Sequence, residues 1–252
     1  IEGFARTSTN GSREWVLGKL NLTMPEASLQ SKGQWGGSGK GAAKRSQLEF
    51  VLQIQDSGQL LDRLGFKGAI KNGKGRMVGQ VGWQGSPFSP DYKTMSGQFN
   101  VNMERGQFLK SDPGVARLLG VLSLQSLPRR LTLDFSDLFS EGFLFDFVRG
   151  DVTIQQGIAS TNNIQMKGVS AAVLMEGKAD LKNETQDLKV VIVPELNAGT
   201  ASLVYSAINP LVGLTTFLAQ YVLRKPLMKS NTEEFHVQGT WKDPKVTKVE
   251  TP

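Results

Sequence analysis

Short runs in which every second residue is apolar constrain this chain more than any other feature. Leu48, Phe50, Leu52 and Ile54 fall on one side of such a run, with Glu49, Gln53 and Gln55 on the other. Phe99, Val101 and Met103 alternate with Gln98, Asn100 and Asn102, and Leu131, Leu133 and Phe135 with Thr132, Asp134 and Ser136. A period of two puts successive side chains on opposite faces of a strand, so each run describes a strand with one buried and one wet face. Antiparallel sheets commonly have this form. Further strand-length segments follow at 143–148, 151–156, 163–168, 170–181 and 186–193. Turn signals stand among them at Asn72-Gly73, Glu141-Gly142, Arg149-Gly150-Asp151, Glu176-Gly177 and Lys182-Asn183. The connections are too short for helical crossovers, so the pattern predicts a meander of hairpins and not a parallel α/β sheet.

Three segments depart from the alternation. Gln59–Leu64 predicts a short helix with Asp56 or Ser57 as its N-cap. After Ser111-Asp112-Pro113, Val115, Leu118, Leu119 and Leu122 fall on one helical stripe that Pro128 ends. A third helical region spans about 201–223, with Leu211, Leu214, Phe217, Leu218, Tyr221 and Val222 at helical spacing and a break at Asn209-Pro210. Three placements are open for it: packed against the sheet, lying on a membrane surface beside Arg224, Lys225 and Lys229, or spanning a bilayer. Ser206, Asn209, Thr215, Thr216 and Gln220 weigh against the last. The expected fold class is therefore mainly β: an extended, twisted and curled antiparallel sheet, groove-like or sandwich-like, with two or three short amphipathic helices. One unit over residues 1–252 is expected, with a candidate internal division near 103–113 that the sheet runs across.

The 252 residues include no cysteine, which excludes disulfides, thiolate metal sites and cysteine nucleophiles. A net charge of +6 favours anionic partners without choosing among them. The first residue is Ile1 and no leader follows it, so the chain reads as a segment of a longer protein. The only histidine, His236, sits on the polar side of an alternating run with no companion ligand or patterned serine. Residues 36–41 (GGSGKG) lack both the first glycine and the Ser/Thr of a phosphate-binding loop, and read as a hairpin tip. Asp134, Asp137, Glu141 and Asp146 cluster in sequence, most of them on the wet side, with nothing to pair one of them with a water-excluded site. Phe143, Phe145 and Phe147 are expected on one face of a strand. The residues around them are not the interleaved cations that nucleic acid would need. No catalytic residue, metal site or cofactor is expected, and no nucleic-acid partner.

Several of these stretches resemble one family. They are residues 120–143 (GVLSLQSLPRRLTLDFSDLFSEGF), 166–177 (MKGVSAAVLMEG), 185–190 (TQDLKV), 193–199 (VPELNAG) and 239–244 (GTWKDP). With 56–66 (DSGQLLDRLGF) and 79–85 (GQVGWQG), they look like the C-terminal region of YhdP-type proteins of the AsmA-like group. The resemblance covers nearly the whole chain and is weakest over residues 1–45. It implies a periplasmic β-groove, part of a protein anchored in the inner membrane of a Gram-negative bacterium and reaching toward the outer membrane. It also implies phospholipid movement between the two membranes with no chemical step, so the expected partners are phospholipids, the envelope membranes and other envelope proteins.

A sheet with one apolar face must cover it, and three short helices are few for a dozen strands. Either the sheet closes into a sandwich or acyl chains occupy the apolar side. On the second reading the expected lipid contacts are Leu118, Leu122, Phe143, Phe145, Phe147, Leu214, Phe217 and Leu218. Arg129, Arg130, Arg224 and Lys225 are the candidates to meet lipid headgroups. The alternative is a structural or adaptor β-sandwich that docks onto envelope proteins and has a dry, filled interior.

Overall fold

A computed structural model describes residues 2–7, 13–37, 43–109, 142–168, 171–194 and 232–249. In these residues the chain forms one antiparallel sheet of twelve strands whose spatial order is the sequence order. The strands are β1 (Glu2–Thr7), β2 (Arg13–Thr23), β3 (Ala27–Gly36), β4 (Arg45–Ile54), β5 (Ile70–Gln84) and β6 (Ser96–Phe108). They continue as β7 (Phe143–Gln155), β8 (Ile158–Gly168), β9 (Ala171–Asp180), β10 (Thr185–Pro194), β11 (Glu233–Thr240) and β12 (Pro244–Val249). The sheet is open: β1 and β12 are its edges and do not pair with each other. The described strands make a single layer, not the two packed sheets of a sandwich. β6 pairs directly with β7, so the sheet runs on across the stretch near 103–113 as expected.

One helix, α1 (Ser57–Arg63), lies among the described residues. Asp56 is its N-cap, and the carboxylate accepts from the Gln59 backbone N–H at 3.0 Å, filling one of the donors a helix start leaves open. Ser57 Oγ donates to the Asn72 carbonyl at 2.6 Å and fastens the helix to β5. At its other end Arg63 pairs with the buried Glu26 in the β2–β3 turn. The segments 115–124, 131–135 and 201–223, expected as two helices and a strand, lie outside the described residues.

The structure corrects three of the expected turns. Asn72-Gly73 sits inside β5, Arg149-Gly150-Asp151 inside β7 and Glu176-Gly177 inside β9. Each glycine is a close-approach point. A Cβ on Gly150 would collide with Ile164 of β8, and one on Gly177 with the β10 backbone at Asp187 and Leu188. A glycine within a strand often marks such crowding and not a reversal. The segments 143–148 and 151–156 are consequently one strand, whereas 181–184 is a true turn, held by the Asp180 carboxylate accepting from the Lys182 and Asn183 backbones.

Candidate functional site

Register turns the alternation of single strands into a surface. Leu22, Leu29, Leu52, Met77, Val101 and Gly150 stand across from one another from β2 to β7. The next row is Leu20, Ser31, Phe50, Gly79, Phe99 and Val152, and the one beyond it Leu17, Gly33, Leu48, Val81, Gly97 and Ile154. Met166, Val173 and Ile192 extend the same face through β8 to β10, and Leu188, Val237 and Val246 carry it to β12. A bulge at Gly18-Lys19 keeps Leu17 and Leu20 on one side although they are three residues apart. The result is one apolar face through the sheet.

The other face is mainly polar over β3 to β8, with Val51 and Val78 as apolar members. Lys32 pairs with Glu49 at 2.9 Å, and the Gln34 amide donates to Gln47 at 2.6 Å. Asp151 accepts from the side-chain amides of Asn100 at 2.9 Å and Asn163 at 2.8 Å, and Asn163 returns a bond from the Asp151 backbone. His236 also lies on this side, 2.6 Å from Asp187, as a half-exposed pair whose carboxylate also accepts from the Gln238 side-chain amide at 3.4 Å. Among the described residues no group of three metal-binding side chains converges.

Burial is uneven along the strands. The packed core runs along the margin that carries α1: Ala27, Ile54, Leu60, Phe143, Phe145, Ala171, Val173, Val190, Ile192 and Phe235. Away from it lies a band of half-exposed apolar side chains, including Leu20, Leu48, Phe50, Val81, Phe99 and Val152, and Val101 joins this band to the core it packs against. β9 and β10 are buried on both faces over residues 171–174 and 190–193: Val190 and Val191, which point opposite ways, are 2% and 0% exposed.

Of the expected lipid contacts, Phe143, Phe145 and Phe147 fall within the described residues. Phe143 and Phe145 join the core on the apolar face, and the Phe145 ring packs 5.2 Å from Phe108. Phe147 does not follow them. The alternation resets along one line across three strands: Asn72 and Gly73 of β5 and Arg105 of β6 take positive φ, and β7 shifts register on β8 between Phe145 and Phe147. Val148 therefore turns to the core, and Phe147 lies on the polar face beneath the Arg149 guanidinium at 4.4 Å. Leu118, Leu122, Leu214, Phe217, Leu218, Arg129, Arg130, Arg224 and Lys225 lie outside the described residues. The half-exposed band was visible as strand alternation, but nothing in a single strand reveals that neighbouring strands align their apolar positions.

Asp146, the described member of the acidic cluster, pairs with Lys167 at 3.4 Å on the surface. Two carboxylates are held below their ordinary range. Glu26 is shifted chiefly by its hydrogen bond from Arg63, against the opposing effect of burial, and Asp180 chiefly by the backbone N–H of Asn183. Both belong to turns and serve the fold.

The chain is 27% identical over 250 residues, 99% of its length, to the Intermembrane phospholipid transporter YhdP of Escherichia coli (strain K12). It spans 19% of that relative's length. No solved structure matches it. A family model described as YhdP protein matches residues 5–246, which takes in all but the ends of the sheet, and on that match the chain belongs to the YhdP family.

Proposed function

We propose that this chain is a non-catalytic segment that conducts phospholipids between membranes of the bacterial envelope, its apolar sheet face carrying the acyl chains. The observation that carries the reading is the half-exposed apolar band aligned across the strands. A sheet face that only stabilised the fold would be filled by side chains; this one leaves Leu48, Phe50, Phe99, Val101 and Val152 partly open. The E. coli relative's name supplies the cargo and a setting between membranes.

The energetics suit a conduit. Each methylene withdrawn from water gains about 0.8 kcal/mol, so an acyl chain does not leave the apolar face for solvent. Moving from a bilayer to that face exchanges one apolar surrounding for another, which keeps the net transfer small. The headgroup stays in water at the margin of the sheet. Glycines on the apolar face at positions 33, 75, 79 and 97, where a Cβ would strike the neighbouring strand, support a sheet that curls toward this side. Phe143 and Phe145 close the margin beside α1, and the open band takes the lipid. No step in this role calls for a nucleophile, metal or cofactor.

Native mass spectrometry with lipid extraction tests the reading on the chain purified first in mild detergent and then without it. Phospholipid bound in defined stoichiometry and displaced by added lipid is the expected result. A lipid-free, monodisperse protein would instead favour an adaptor role.

A further inference from the structure

The margin opposite α1 has a different character. Trp15 and Trp35 are cross-strand partners there, and Trp83 follows two strands on, through Ser46. The β5–β6 loop rises beside them over residues 85–95, with Phe88 between Pro87 and Pro90 at its tip. Phe88 is 95% exposed, and Trp15 and Tyr92 are more than half exposed.

The loop is stiff. Its start is held by the Trp35 indole N–H and the Ser46 hydroxyl, both donating to the Gly85 carbonyl at 2.9 Å, and by the Gly85 N–H donating to Lys44. Trp83 Nε1 donates to the Ser86 carbonyl at 2.8 Å, and Ser86 Oγ accepts from the Phe88 N–H. Its far leg is tied by Thr94, which accepts from the Gln84 N–H and donates to Asp91. Each bond stabilises a conformation whose outcome is a large apolar ring in open water. Folding alone gains nothing from that display, and about 25 cal/mol per Å² of apolar surface is gained only when something covers it.

We infer that this loop is a membrane-insertion finger, and that its partner is an anionic phospholipid surface. Charge selects the partner. Lys44, Arg45 and Lys93 surround the finger, all exposed, and the ion pairs among the described residues engage none of them. Lys44 sits 4.2 Å over the Trp35 ring, an aromatic–cation pair that suits the depth of lipid headgroups. The carboxylate of Asp91 is turned inward, accepting from Lys93 N and Thr94 Oγ1. A ring at the tip and cations at its base match an acyl layer beneath a layer of phosphates. Trp15 and Trp35 lie on the apolar face itself, so the finger would bring a bilayer to the rim of the surface proposed to carry acyl chains. The inference rests on that reading for its setting and is tested apart from it.

Flotation of the full chain with phosphatidylcholine vesicles, with and without phosphatidylglycerol, is the test. Wild type is expected to float with the mixed vesicles and far less with phosphatidylcholine alone. Phe88→Ser is expected to lower partitioning by about tenfold, as loss of one inserted aromatic ring requires. Lys44→Glu/Arg45→Glu is expected to abolish the preference for phosphatidylglycerol. Circular dichroism and copurified phospholipid should stay at wild-type levels in Phe88→Ser, because the ring contributes nothing to the fold. Undiminished flotation of that variant, equal binding of wild type to both vesicles, or binding to neither overturns the finger. Lipid-free wild type that still floats through Phe88 overturns the conducting role and leaves the finger standing.

Discussion

Gly106 of β6 stands directly across from Phe145 of β7, and the Phe145 ring occupies the space that a side chain at position 106 would take. A Cβ there would lie 2.5 Å from Cζ of the ring. The pair joins two strands along the packed margin, where Phe145 is 2% exposed. Gly106→Ala should therefore destabilise by about 1–3 kcal/mol through overpacking, and Phe145→Ala by about 3–5 kcal/mol through the cavity it leaves. In the double variant the new methyl group occupies part of that cavity, so its loss should be smaller than the sum of the two. Urea unfolding of the four proteins measures this. Strict additivity would mean that the ring does not pack on position 106.

The two phenylalanines on either side of Asp146 should behave differently. Phe145→Asp places a charge in the core and should prevent stable folding. Phe147→Ser loses a half-exposed stack on Arg149 and should cost only about 0.5–1 kcal/mol, leaving copurified lipid unchanged. Thermal unfolding and lipid extraction check both halves. Equal damage from the two substitutions would put Phe147 on the apolar face after all.

Acid should loosen the α1 corner. Glu26 is held below the ordinary glutamate range by Arg63, so the folded protein binds its proton less readily than the unfolded chain. The stability this group contributes is present at neutral pH. It is lost as the pH falls from the unfolded value, near ~4.3, through the lower folded one. Glu26→Gln should flatten the acid limb of a stability–pH profile relative to wild type. A profile of unchanged slope would show that the pair contributes no pH-dependent stability.

Protection should follow burial along the sheet. β9 and β10 are closed to solvent on both faces over residues 171–174 and 190–193, whereas β1 and β12 are edges with six residues each. Native-state hydrogen exchange should be slowest at Val173, Leu174, Val190 and Val191 and fastest in β1 and β12. Fast exchange in β9 would contradict the packing described.

Much of this architecture is legible residue by residue. The alternation at 48–54 and 99–103 yields β4 and β6 with their apolar faces correctly oriented, and of the two N-cap candidates, Asp56 and Ser57, the structure takes Asp56. The reading fails where local pattern and neighbouring strands disagree. Phe143, Phe145 and Phe147 alternate in sequence, but backbone adjustments at Gly73, Arg105 and Asp146–Phe147 reverse the facing of β7 midway. Gly150 and Gly177 look like turns because glycine serves both reversal and close approach, and only the partner strand decides between them. The Phe88 loop escaped notice for a related reason: its exposure depends on hydrogen bonds from Trp35 and Ser46, which lie far from it in sequence.

Acyl chains held on one face of the sheet should be open to photo-crosslinking from that face alone. A benzophenone amino acid would be placed singly at Leu48 and Val101 on the apolar face, and at Glu49 and Asn102 on the polar one. After irradiation with bound phospholipid, adducts should form at Leu48 and Val101 and not at their immediate neighbours. Adducts of equal yield on both faces, or on the polar face alone, would contradict the account.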